Sequence, residues 1–169
     1  FRIALSRQLF GIVIGGVYFY LKEIYSTNNY AKQLAAQGYP EGTLVIAERQ
    51  TAGRGRRGRQ WHSEPGQAIF MSLILRPSMP LKELSRITPF IAVALVDTLE
   101  RFGIEAGIKW PNDVLINGRK IAGILTEAVT DMDGIEYIVT GIGLNVNNRI
   151  VDFPEEIRDI ATTIREETG

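Results

Sequence analysis

The stretch Ile108–Val146, IKWPNDVLINGRKIAGILTEAVTDMDGIEYIVTGIGLNV, decides the fold. It divides into apolar runs of strand length, IKW, VLI, KIAGILTEAV and IEYIVTGIGLNV, separated by PND, NGR and DMDG. Asn117-Gly118 and Asp133-Gly134 are hairpin signals, because these residue types accept the positive φ that a tight reversal between twisted strands demands. The second half of the chain therefore reads as an antiparallel meander.

Upstream the pattern alternates between strand and helix. Val17–Ile24 is aromatic and β-branched and reads as a strand; Ser26, Thr27 and Asn28 then supply cap chemistry for a helix to about Gln37, which GYPEG ends. Thr43–Ala47 and Ala68–Leu75 read as strands, the second apolar on both faces and hence interior. Leu81–Phe102 carries Leu84, Ile87, Ile91, Leu95, Thr98 and Leu99 at helical spacing, with Pro89 kinking it or splitting it in two. Strands, helices and hairpins in this order predict an α+β domain: a mixed, largely antiparallel sheet with helices packed on one face, not a doubly wound α/β fold.

With 169 residues and no internal repeat or dividing linker, the chain is expected to form one domain. Nineteen basic residues balance nineteen acidic ones, which argues against a protein that coats nucleic acid through its overall field. Cysteine is absent and His62 is the single histidine, which removes disulfides, thiolate zinc sites and histidine triads and favours a cytoplasmic setting. The uncharged run Gln8–Leu21 follows Arg2 and Arg7, yet it is too short to span a bilayer and lacks a cleavage site, so it reads as a core strand.

Four segments carry candidate chemistry. The first is TAGRGRRGRQW at Thr51–Trp61, where Arg54, Arg56, Arg57 and Arg59 interleave with Gly53, Gly55 and Gly58 between two core strands. Glycines let backbone N–H groups approach a ligand, and guanidinium forks pair with phosphate or carboxylate oxygens. No acid lies between Arg49 and Glu64, which predicts a loop that is disordered when empty and orders when an anion binds. A solvated basic loop and an Arg-Gly contact to nucleic acid are the competing readings, the latter weakened because the segment occurs once and between strands. The second is Lys109-Trp110-Pro111-Asn112-Asp113, partly explained as turn chemistry, and the third is Lys120 with Gly123, either an edge charge or a close backbone approach. The fourth, Gly141–Asn147, is no dinucleotide fingerprint, since no Gly-x-Gly-x-x-Gly follows. His62 beside Trp61 reads as a surface or packing residue.

In order and spacing, STN at 26–28, AERQTAGRGRRGRQWHSEPG at 47–66, KWPND at 109–113, GRKIAGILTE at 118–127 and GIGLNVN at 141–147 resemble the biotin protein ligases, also called biotin acetyl-CoA-carboxylase ligases. The resemblance spans roughly residues 17–147. It implies the family's class II synthetase-like catalytic domain and a two-step reaction: biotin and ATP form biotinyl-5'-AMP, which then acylates a lysine of a biotin carrier protein. By that resemblance Ser26, Thr27, Asn28, Gln50, Gly53, Arg54, Gly55, Arg56, Lys120 and Gly123 are candidate biotin contacts. Arg56, Arg57, Arg59, Trp61, Lys109, Asn112, Asp113, Ile142 and Asn145 are candidates for ATP, with Mg2+ near Asn112, Asp113 or Asn145. Arg56 and Lys120 are the candidate catalytic pair.

The resemblance also makes a homodimer an expectation, with neither nucleic acid nor membrane as partner. It implies a catalytic domain that stops short at its C-terminal end, and nothing in the 169 residues resembles the family's N-terminal DNA-binding domain or C-terminal barrel. Tyr25 stands where the family has an acid. A lipoate or octanoate protein ligase or transferase is the nearest alternative, and a nucleic-acid-binding module the more distant one.

Overall fold

The structure is a computed structural model that describes residues 8, 9, 12–62, 64–132 and 134–169. Two short strands, β1 (Gln8–Leu9) and β2 (Ile12–Val13), pair with each other as a separate antiparallel ribbon. The main sheet contains β3 (Tyr18–Ile24), β4 (Leu44–Gln50), β5 (Ala68–Leu75), β6 (Gly107–Lys109), β7 (Asp113–Ile116), β8 (Arg119–Thr130) and β9 (Ile135–Asn145). Their spatial order is β3-β4-β5-β9-β8-β7-β6, and only the β3–β4 pair is parallel. The α+β class and the largely antiparallel sheet are as expected. The run Gln8–Leu21 is not one strand, because a turn with Gly15 at φ 76° interrupts it before β3. No helix among the described residues is long and apolar enough to cross a membrane.

The meander follows its turn chemistry closely. Asn117 and Gly118 take φ of 50° and 79°, the two positive values that a two-residue hairpin between β7 and β8 needs. Between β8 and β9, Asp133 lies outside the described residues, so only Gly134 of that dipeptide can be placed. The helical stretch 81–100 splits as one of the two alternatives required: a 3-10 turn over Leu81–Arg86, then α2 (Ile87–Glu100). Pro89 falls in the first turn of α2, where its missing N–H has no partner to lose.

The helices do not share one face of the sheet. Helix α1 (Thr27–Ala36) packs Ala31, Leu34 and Ala35 on Val45, Ile74, Tyr137 and Val139. Helix α2 packs Ala92, Leu95 and Leu99 on Val114, Ile116, Ile124 and Leu144. Val139 and Leu144 have opposite parity on β9, so these two clusters lie on opposite faces. The cause is visible in β9 itself, which buries residues of both parities from Tyr137 to Gly141 and needs cover on each side. A final short helix, α3 (Ile164–Thr168), is capped by Thr163, whose side chain accepts a hydrogen bond from the backbone N–H of Glu166.

Candidate active site

Two pockets lie on the α1 face of the sheet and share a wall. The first is floored by β8 and β9 and reached by Ser26, Thr27 and Asn28 at the start of α1, by Gln50 at the end of β4, and by Arg54, Gly55 and Arg56. The second lies beyond the arginine loop, among Arg57, Arg59, Asp113 and Asn145. Gly55, Arg56, Trp61, Asn112 and Lys120 border both.

Glycine makes the floor possible. Gly123 and Gly143 are paired across β8 and β9, and the Trp61 ring lies directly on them. A methyl group built at Gly123 would sit 2.7 Å from Trp61 Cζ3, and one at Gly143 2.8 Å from Cε2, both well inside contact distance. Two pairs further along, a methyl group at Gly141 would overlap the Asn28 side chain. The glycines thus bring an aromatic ring and an amide down onto backbone.

Lys120 reaches this face because β8 carries an extra residue. Val114 pairs with Ala122 but Leu115 pairs with Lys120, so Ile121 is a bulge that packs into the α2 core at 0% exposure. Under strict alternation Lys120 would share the face of Ala122 and Ile124; the shift returns it to the face of Gly123. Its Nζ then sits 2.7 Å from Asp113 Oδ1 and 5.3 Å from the Trp61 ring centroid. Its backbone, released from the regular ladder, donates to Ile160 O and accepts from Thr162 N, both at 2.8 Å. The chain beyond β9 therefore clamps the lysine while Phe153, Ile157 and Ile160 wall the second pocket.

The two candidate catalytic residues are joined through the KWPND turn. Arg56 donates to Asn112 Oδ1 at 2.8 Å, Asn112 Nδ2 donates to Asp113 Oδ1 at 2.9 Å, and Asp113 pairs with Lys120. Arg54 turns the other way and reaches Asn29 Oδ1 at 2.6 Å and Glu127 at 3.2 Å. The loop is thus folded down on the sheet, with Arg54 and Arg56 engaged. The missing counter-charge is Glu127 on β8, too distant in sequence for a local charge count to include it.

Glu127 also accepts from Asn28 Nδ2 at 2.8 Å and from Lys32 at 3.0 Å. Burial pushes its carboxyl pKa up, but the hydrogen bonds from Asn28 and Lys32 and the charges of Lys32 and Arg54 outweigh that and hold it below the usual carboxylate value.

Of the sequence candidates, Gly53 is not in a pocket wall but lets Gln50 and Trp61 meet over it: a methyl group there would stand 3.2 Å from Gln50 Nε2 and 3.1 Å from Trp61 O. Lys109 lies on the exposed edge strand β6, outside both pockets. Ile142 borders the first pocket while packing against the α2 cluster. The sequence reading did not single out Phe70 around the first pocket, or Phe153, Ile157, Ile160 and Ala161 around the second, and it marked Gly141 and Gly143 as part of a candidate segment without assigning them a contact. For the glycines the signal was their two-residue spacing on a strand, which puts both on one face. His62 borders the second pocket.

Asp113 is the one carboxylate bordering the second pocket, and Asn145 Oδ1, 4% exposed as a residue, is buried without a partner among the described residues. That donor set suits a magnesium ion carried mainly by phosphate oxygens rather than a protein cage, and the described residues contain no cluster of three or more metal-ligating side chains.

Residues 20–145 match the model of the Biotin/lipoate A/B protein ligase family. The chain is 47% identical over 172 residues to the bifunctional ligase/repressor BirA of Bacillus spizizenii, an alignment that covers 99% of this chain and 53% of that protein. Among solved structures it is similar to the biotin protein ligase from Aquifex aeolicus in complex with biotin and ATP, at 36% identity and a TM-score of 0.71, covering 91% of this chain and 62% of that one. It is also similar to the Leishmania major biotin protein ligase in complex with biotinyl-5-AMP, at 28% identity and a TM-score of 0.72, covering 90% and 64%. The chain spans about half the length of the curated relatives it matches.

Proposed function

Because the chain belongs to the biotin/lipoate A/B protein ligase family, we propose that it joins biotin to a lysine of a biotin carrier protein at the expense of ATP, by way of biotinyl-5'-AMP. The observation that carries this reading is the shared wall. Arg56 and Lys120 border both pockets, so a carboxylate arriving from the first and an α-phosphate from the second meet between two cations.

The chemistry then follows from charge. A biotin carboxylate oxygen attacks the α-phosphorus and pyrophosphate leaves; two anions must approach each other, and fixed cations in a dry site offset that repulsion. In the second step the neutral amine of the carrier lysine attacks the acyl carbonyl and AMP leaves with the bonding electrons. Trp61 and the folded loop cover the mixed anhydride and exclude water from it. Thr27 and Gln50 offer matched polar groups to the ureido head, which favours biotin over the apolar dithiolane of lipoate within the same family. Arg57, Arg59 and Asn145 take the nucleotide, and Asp113 or Asn145 Oδ1 would help hold a magnesium ion, which would neutralise phosphate charge. The inward engagement of Arg54 and Arg56 supports a small anionic ligand over nucleic acid.

The test is mass spectrometry of a biotin carrier domain incubated with the protein, biotin, ATP and magnesium. A gain of one biotinyl group on one lysine is expected, and an unmodified carrier overturns the proposal. The same reading expects a homodimer by sedimentation and a cytoplasmic protein by fractionation.

A further inference from the structure

The polarity of the first pocket is set from behind it. Asn28 Nδ2 faces the Leu125 carbonyl at 3.1 Å and Glu127 Oε2 at 2.8 Å. Both of those groups only accept, so the amide nitrogen must face them, and Oδ1 must face Ser72 Oγ at 2.6 Å. An amide oxygen has no hydrogen to give, so Ser72 commits its single hydrogen to Asn28. Its lone pairs are left toward Thr27 Oγ1 at 2.8 Å. The Thr27 hydroxyl must therefore donate, to Ser72 or to Gln50 Oε1 at 3.1 Å, and it turns a lone pair to the pocket. On Gln50 the backbone N–H of Thr27 claims Oε1 at 2.8 Å, which leaves Nε2 as the free donor. Ser72, Thr27 and Asn28 are 0%, 3% and 4% exposed, so water does not relax these choices.

We propose that Glu127 is a positioning residue that fixes, through Asn28 and Ser72, the hydrogen-bond polarity of Thr27 beside Gln50, and so selects a cyclic urea. A ureido N–H meets the Thr27 acceptor, and the ureido carbonyl meets the Gln50 donor. The proposal rests on the biotin reading of the pocket. Lys32 at 3.0 Å and Arg54 at 3.2 Å hold the other carboxylate oxygen and keep Glu127 ionised, hence acceptor only, at neutral pH.

Glu127→Gln is the decisive variant because it keeps shape. The new amide turns its oxygen to Lys32 and Arg54, so an N–H confronts Asn28 Nδ2. Asn28 then meets the Leu125 acceptor and the new amide donor on the same side, so neither of its orientations satisfies both, and the single donor–acceptor order from Asn28 through Ser72 to Thr27 beside the ureido group is lost. In the full-length protein the biotin KM should rise about tenfold, the loss of roughly one buried hydrogen bond, with kcat, the ATP KM and Tm little changed. Adding Asn28→Asp to that variant places an oxygen toward both Ser72 and the new amide, though against the Leu125 carbonyl, and should recover part of the biotin affinity. A purely structural role predicts instead that the double variant is worse than the single.

An unchanged biotin KM in Glu127→Gln, or an equal rise in both KM values, overturns the proposal while leaving the biotin reading intact. A wild-type protein that binds no biotin overturns both. Should Glu127→Gln unfold, Glu127→Asp keeps the acceptor and must bind biotin more tightly than Glu127→Ala; equal affinities overturn the relay.

Discussion

Gly123→Ala tests whether the sheet floor holds the loop in place. The added methyl group would lie 2.7 Å from Trp61 Cζ3, about 0.7 Å inside the 3.4 Å at which ordinary contact begins, and 3.1 Å from Lys120 Cε and Nζ. The ring must leave its present seat. Overpacking of this kind costs about 1–3 kcal/mol, which at about 1.4 kcal/mol per tenfold lowers the population of the seated ring by roughly 5- to 150-fold. Lys120 then loses the face of Trp61, 5.3 Å away, and the wall between the two pockets opens. Trp61 belongs to neither core cluster, so the strain is released by the loop rather than by unfolding, and Tm should move little. The assay is pyrophosphate release with biotin and ATP, joined to tryptophan emission in a Trp110→Phe background so that Trp61 alone reports. Expected are a kcat/KM lowered by one to two orders of magnitude and a red shift as the ring meets water. Gly107→Ala, where an added methyl group meets nothing within 4 Å, is the control. Unshifted emission together with kinetics within twofold of wild type would refute the seated-ring account.

Arg56→Ala removes the cation that borders both pockets and donates to Asn112; adenylate formation should fall about 100-fold, and free biotinyl-5'-AMP should appear in solution, measured by single-turnover chromatography. Gly118→Ala places a side chain at φ 79° with open space around it, so only the backbone objects; a cost of about 1–2 kcal/mol should lower Tm by roughly 2–8 °C without changing either KM. Glu167 is pushed up by burial and pulled down further by hydrogen bonds from Thr162 and Asn117 and by Arg119, so its carboxyl lies below the usual range. A depressed folded pKa gives stability that is full above the unfolded value and is lost as pH falls through the folded one. Protection of the C-terminal segment in hydrogen exchange should therefore weaken with acid below about pH 4, and Glu167→Gln should flatten that dependence.

What the sequence made legible and what it hid divide along one physical line. Asn117-Gly118 announced its hairpin because the constraint is local: two positive φ values and strands on either side. Ser26 announced its helix for the same reason. Side-chain direction along β8 is not local in that sense. Alternation alone sends Lys120 into the α2 core, and only the partner strand, pairing Leu115 with Lys120 and skipping Ile121, sends it to the pocket. Glu127 was invisible for a related reason. The arginine loop looked uncompensated within its own neighbourhood, yet sheet order brings an acid 73 residues away to 3.2 Å from Arg54. The division of helices between two faces was, by contrast, carried by a local signal that the one-face expectation overlooked: IEYIVTGIGLNV is apolar at both parities, and a strand of that kind demands cover on both sides. The apolar wall of Phe153, Ile157 and Ile160 had no such signature, since shape-filling side chains in irregular chain follow no period. Hence the residues expected to touch a ligand could be named from the sequence, whereas those that aim them, Ile121 by its bulge and Glu127 by its relay, required the register of the sheet.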